Sequence, residues 1–175
     1  MSCRNSTMAP FGLTRRGLLA VAAAAAFANA TPALAQDSDV RRDAGPIRLA
    51  IPEFAGVRLP DPQTARDLTQ VVVGHLRGSG HYDLSETVDT EMSVDKVPRF
   101  DDLRASKVQA LVSGRLTGET DNRLSAELRL WDVQAGQHLV SRRYEAEIVK
   151  WRAVAIVIAN DIHERLTGEK DRFND

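Results

Sequence analysis

Four histidines are the residues of this sequence whose side chains most often bind metals or carry out catalysis. They are His75, His81, His138 and His163. None of them lies in an H-E-x-x-H pattern or in another short spacing typical of a metal site. We therefore predict that each is either a surface side chain or a hydrogen-bonded core side chain, and that the protein holds no metal.

The serines, glycines and carboxylates show no pattern typical of an enzyme. There is no G-x-S-x-G elbow and no Walker loop, and Ser113, Ser125 and Ser141 lie on predicted strands without a nearby base. The run GHLRGSG ends a predicted helix instead of opening one, so it cannot bind phosphate at a helix N-terminus. Glu53 and Asp61 flank one loop, where solvation is a simpler interpretation than a catalytic pair. The sequence therefore predicts no enzyme activity and no cofactor.

Composition also argues against several classes of partner. A formal net charge of -1 over 175 residues predicts no binding to nucleic acid or to another acidic polymer. Aromatic residues make up only 5%, which is too few for a platform that stacks bases or sugars. The single cysteine, Cys3, can form neither a disulfide framework nor a cysteine metal site.

Residues 1–35 have the pattern of a secretory signal peptide. A positive region that includes Arg15 and Arg16 precedes the run GLLAVAAAAAFANA, and an A-x-A pattern follows it. We predict cleavage between Ala35 and Gln36. A transmembrane helix is the less favoured alternative, because the apolar run is shorter than the roughly 20 residues that cross a bilayer. The stretch TRRGLLA also resembles a twin-arginine export signal.

The predicted mature chain begins with a polar stretch, residues 36–46, that ends in Gly-Pro and has the composition of a flexible arm. This arm is either a passive leader to the first strand or a partner-binding segment. The mature chain has no cysteine and no predicted membrane span, so it must rely on its hydrophobic core. We expect it to reside in the periplasm.

The rest of the chain alternates between strand and helix patterns, and these elements must position any functional surface. Ile47, Leu49 and Ile51 predict a first strand, IRLAIPEFAG, that ends or lies at a sheet edge near Pro52. Asp61 is a typical N-cap for a following helix. This helix has Pro62 at its first position and ends at Gly78 or Gly80. The further predicted elements are a short strand at 81–86, a short helix around Phe100 and Leu103, an antiparallel meander over residues 109–147, and a final helix capped by Gly168.

The last helix has the clearest pattern of the chain. Its apolar stripe consists of Trp151, Val154, Ala155, Ile158, Ile162 and Leu166. The order of elements predicts an α/β fold: a mixed sheet with an antiparallel meander, covered by this long C-terminal helix and by the N-terminal helix. Trp131 falls on the sheet face opposite to Leu130, where it either packs under a helix or marks a partner surface.

Several stretches, taken in order, resemble the N-terminal domain of the TolB family. They are DAGPIRLAIPEFAG, VVVGHLRGSGHYDL, VQALVSGRLTG, LRLWDVQAGQHLVSRRY and KWRAVAIVIANDIHERLTGEKDRF. Together they extend from about Asp43 to Phe173. The resemblance divides the chain into a signal peptide (1–35), an arm (36–46), a TolB N-terminal-like domain (47–168) and a linker-like tail (169–175).

The resemblance implies a periplasmic adaptor of the Tol–Pal system that acts through protein contacts in envelope integrity, cell division and protein import. In that family the arm docks on the inner-membrane protein TolA, and a β-propeller that follows the domain binds Pal. The arm residues that would contact a TolA-type partner here are Asp37, Val40, Arg41 and Arg42. Pal binding is not expected, because no propeller sequence is present.

A second interpretation is a stand-alone exported α/β structural module of outer-membrane assembly, similar to the CsgG-like group. Such proteins typically carry a lipidated cysteine just after the apolar run of the signal. Cys3 precedes that run, which counts against this interpretation.

Overall fold

The computed structural model describes residues 45–85, 94–170 and Phe173. In chain order, the elements are β1 (Ile47–Ala50), β2 (Ala55–Val57), α1 (Gln63–Gly78), β3 (Tyr82–Ser85), α2 (Phe100–Ala105), β4 (Ala110–Gly118), β5 (Arg123–Asp132), β6 (Gln137–Glu147) and α3 (Trp151–Thr167). A short 3-10 turn, Ile148–Lys150, leads into α3.

The six strands form one mixed sheet in the order β3-β1-β4-β5-β6, with β2 pairing along the same strand β4. β1 is parallel to both β3 and β4, and β2 is parallel to β4. β4, β5 and β6 form an antiparallel meander. The predicted mixed sheet with its meander is confirmed.

The first predicted strand is interrupted in the structure. β1 ends at Ala50, and β2 begins at Ala55 farther along the same edge of β4. Pro52 lies between the two strands, where a residue without an N–H group cannot extend a ladder. Phe54 in this interruption is buried, and its backbone N–H donates to Thr69 Oγ1 of α1 at 3.0 Å. The break therefore inserts an aromatic ring into the core.

α1 begins one residue later than predicted, at Gln63 instead of Pro62. Asp61 still satisfies the first turn, because its Oδ1 accepts from the Gln63 N–H at 2.9 Å and its carbonyl accepts from the Thr64 N–H at 3.1 Å. At the other end the helix stops at Gly78, and Gly80 follows with φ +74. One of the two predicted ends is thus confirmed.

α1 and α3 pack together on one face of the sheet and close the main core. Every predicted stripe residue of α3 except the half-buried Trp151 is buried there, and Ala159 and His163 join them. Gly168, with φ +80, ends α3 as predicted. The two helices therefore form one layer over the same face of the sheet.

α2 covers one end of the opposite sheet face and forms a second, smaller cluster. Its members are Ala50, Leu103, Val108, Leu111, Trp131 and Val133, with Phe100 packed against them. Trp131 is 7% exposed and lies edge-on to the rings of Phe100 and His138. Its indole N–H donates to Ser113 Oγ at 3.4 Å. Of the two interpretations of Trp131, the structure shows packing under a helix.

Candidate interaction surface

The residues predicted to act in export and in partner binding all lie outside the described residues. They are Arg15 and Arg16 of the export motif, Ala35 and Gln36 at the cleavage site, and Asp37, Val40, Arg41 and Arg42 of the arm. Their roles remain predictions. The structure does show where the arm joins the domain. Ile47 opens β1, and its N–H donates to the His81 carbonyl at 2.8 Å.

Three of the four histidines gather at this same end of the domain, around Tyr82 of β3. His81 and His163 have ring centroids 5.3 Å apart, and the Tyr82 ring lies 5.8 Å from that of His163. His75 of α1 is linked to His163 through the Phe173 ring, which lies 5.4 Å from each. The three histidines are up to 88 positions apart in the sequence, and only parallel strand pairing and helix packing bring them together, so their spacing does not predict the cluster.

His163 is a hydrogen-bonded core side chain, one of the two options predicted for each histidine. It is fully buried, and its Nδ1 shares a hydrogen bond of 2.8 Å with the Tyr82 hydroxyl. Its Nε2 lies 3.4 Å from Glu169 Oε2. Over residues 45–85, 94–170 and 173, no group of three or more His, Cys, Asp or Glu side chains has an arrangement that could hold a metal ion.

The two carboxylates that flank the β2 loop do not act as a pair. Glu53 accepts from Arg66 Nε of α1 at 2.9 Å, and Asp61 caps the first turn of that helix. Both are therefore engaged in holding α1 against the β1–β2 segment.

Among the described residues, the sheet face opposite α1 and α3 carries alternating charges beyond α2. Arg115 of β4 binds both Glu127 of β5 and Asp95, the latter at 2.6 Å. Arg143 of β6 lies 3.6 Å from Glu127, which extends the row across three strands. The hydrogen bond to Glu127 is the main cause that raises the pKa of Arg115 above its ordinary value. These ion pairs join β4, β5 and β6 on this face of the sheet.

Tyr144 of β6 lies on the sheet face that the helices cover, and its ionisation should make the stability of the domain depend on pH. Burial, together with the hydrogen bond that its hydroxyl donates to Asp161 at 2.6 Å, raises the pKa of Tyr144 above its ordinary value of 10.0. The unfolded chain ionises first as the pH rises, so the contribution of Tyr144 to stability is present below pH 10.0 and is lost above it.

We expect the free energy of unfolding of the wild-type protein to fall more steeply between pH 9 and 11 than that of Tyr144→Phe. At pH 7 the variant should be less stable by about 0.5–1.5 kcal/mol, because it lacks one hydrogen bond. Urea denaturation at each pH measures both effects. The other tyrosine, Tyr82, is present in both proteins, so parallel alkaline slopes would contradict the assignment to Tyr144.

No helix in the described part of the chain is long and apolar enough to cross a membrane. Residues 40–139, more than half of the chain, match the family described as the TolB amino-terminal domain. The chain belongs to this family. The resemblance proposed from the quoted stretches is thereby confirmed.

Solved structures show the same fold. TolB from Acinetobacter baumannii superposes with a TM-score of 0.61 at 18% sequence identity, over 78% of this chain and 31% of that one. A hypothetical protein from Chlamydia trachomatis superposes with a TM-score of 0.55 at 8% identity, over 71% of this chain and 100% of that one. This TolB amino-terminal domain chain thus spans less than a third of the length of the Acinetobacter TolB.

Proposed function

We propose that this chain is a periplasmic adaptor of Tol–Pal type that acts by protein–protein contacts in envelope integrity, cell division and protein import. Membership of the TolB amino-terminal domain family is the observation that carries the proposal. The structure contributes a folded support with a charged sheet face and with the arm attached next to His81. Pal binding is not part of the proposal, because it belongs to the propeller of the family.

The proposed partner is a TolA-type inner-membrane protein, and the proposed contact is the arm, residues 36–46. Arg41 and Arg42 give this segment two adjacent positive charges, while Asp37 and Val40 add an acidic and an apolar group. An arm joined to the domain at a fixed point, Ile47, can bind as an extended segment while the folded domain stays unchanged.

Capture of a TolA-type periplasmic domain by the mature chain tests this proposal. We expect retention by the mature chain, and loss or at least tenfold weakening when residues 36–46 are deleted or when Arg41→Glu and Arg42→Glu are combined. The matched control is Lys96→Glu with Arg99→Glu, which changes the net charge equally at two exposed positions of the domain. This control should bind like the wild type.

The outcomes separate the two parts of the proposal. Equal capture with and without the arm would remove the arm from the contact and leave the Tol–Pal assignment intact. Failure of the wild-type chain to capture the partner would contradict the assignment itself. The second candidate, a stand-alone structural module, is favoured by the chlamydial protein, in which this fold accounts for the whole of the solved chain.

A further inference from the structure

Beyond α3, the described residues Glu169, Lys170 and Phe173 all contact the domain, and Phe173 is the buried one of the three. Gly168 reverses the chain direction at φ +80, and Gly168, Glu169 and Lys170 are exposed. Phe173 is then only 9% exposed. Its backbone bonds to Asn160, seven residues before the end of α3 at Thr167, place Phe173 about two turns back along the helix.

The backbone of Phe173 is recognised by a single side chain. The Asn160 Nδ2 donates to the Phe173 carbonyl at 2.9 Å, and the Phe173 N–H donates to Asn160 Oδ1 at 2.9 Å. A side-chain amide that binds both groups of one residue replaces the bonds that a neighbouring strand would make. This contact involves only the main-chain N–H and carbonyl of Phe173, so it is compatible with many residue types at that position.

The ring of Phe173 supplies selectivity, because it lies in a crevice between the two helices. The crevice walls are His75 of α1 and His163 of α3, each with its ring centroid 5.4 Å from that of Phe173. His163 also shares a hydrogen bond with Tyr82 of β3, which holds its ring independently of Phe173. The Phe173 ring lies against both imidazole rings.

We propose that this crevice between α1 and α3 is a binding site for an extended peptide that carries an aromatic residue, and that the chain's own Phe173 occupies it. Asn160 binds the main chain of the aromatic residue, and His75 and His163 hold its ring. The segment that begins at Glu169 is then a tethered competitor. A partner segment with the same features binds only by displacing it.

The short segment between Gly168 and Phe173 sets the concentration that a free peptide needs in order to compete with Phe173. Four residues separate Gly168 from Phe173, and a linker this short gives an effective concentration on the order of millimolar. A free peptide must exceed that concentration to compete in the wild-type protein. In a variant without the ring at position 173, the same peptide meets an empty crevice.

A peptide of residues 169–175, EKDRFND, added to the full chain carrying Phe173→Ala, tests the proposal. The ring C–H signals of His75 and His163 in NMR spectra report occupancy, because an aromatic ring at this distance shifts them. We expect saturable shifts with half-saturation on the order of 0.1 mM in the variant, and about tenfold weaker binding to the wild type, because the effective concentration of the tethered ring is about ten times that value. A peptide with alanine in place of its phenylalanine should cause no shift.

Two further variants keep the test decisive. Adding Asn160→Leu to Phe173→Ala should abolish the shifts, because the main-chain bonds are lost while side-chain size is kept. If circular dichroism shows that Phe173→Ala is unfolded, Phe173→Leu, which keeps a bulky apolar group, carries the same titration. Absence of shifts in a folded variant, or equal shifts with the alanine peptide, would show that Phe173 is ordinary packing and would overturn the proposal.

Discussion

Replacing Ile158 with aspartate is expected to unfold the domain. Ile158 is fully buried at the centre of α3, within the core between the helices and the sheet. The substitution removes about 1.5–3 kcal/mol of apolar burial and places an unpaired charge in the core. The total loss should exceed about 4 kcal/mol, against a typical domain stability of about 5–15 kcal/mol.

Thermal denaturation followed by circular dichroism measures this effect. We expect either no cooperative transition or a midpoint lower by more than about 10 °C. Val157→Asp is the matched control, since it makes the same chemical change at the preceding position of α3, where the side chain is 47% exposed. The control should melt within a few degrees of the wild type. A shift of only a degree or two in Ile158→Asp would rule out this packing of α3.

Replacing Gly114 with alanine is the second change for which we expect a large effect. A Cβ at this position of β4 would lie 2.4 Å from two ring carbons of Phe54, which is closer than side-chain carbons approach each other. Phe54 is itself buried and held by its neighbours, so the ring cannot move aside freely. We expect a loss of about 1–3 kcal/mol or more in the free energy of unfolding, measured by urea denaturation.

The same contact predicts a rescue. In the Gly114→Ala background, Phe54→Leu should cost less than it does in the wild type, with a coupling energy of about 0.5–3 kcal/mol. Gly74→Ala is the matched control, because a Cβ at this position of α1 meets no atom within 4 Å. This control should stabilise the protein by about 0.5–1 kcal/mol, as alanine is the better helix former. Strict additivity of Gly114→Ala and Phe54→Leu would contradict the contact.

The elements with a long, regular hydrophobic period could be predicted from the sequence. The stripe of α3 recurs at three- and four-residue spacing over 17 residues, and five of its six predicted members are buried. The meander was equally visible, because the inward residues of β5 alternate with charged ones and Gly136, with φ +65, marks a turn. Such patterns depend only on neighbouring positions in the chain.

Features that depend on distant positions could not be predicted in this way. The glycine at position 114 is explained by Phe54, which is 60 positions away and reaches the core only because β1 and β2 are separate strands. The histidine cluster joins α1, β3 and α3 in the same manner. The tail prediction likewise gave no sign that Phe173 is buried, since a single aromatic in a polar stretch carries no period.

The attachment points before β1 and after Phe173 lie at the same end of the domain. Ile47 is bonded to His81, His81 neighbours His163, and His163 neighbours Phe173. β6 alone, with 11 residues, extends about 36 Å, yet little of that length separates the two attachment points. The first strand residue and the last described residue therefore lie side by side, and the fold adds little distance between Ile47 and Phe173.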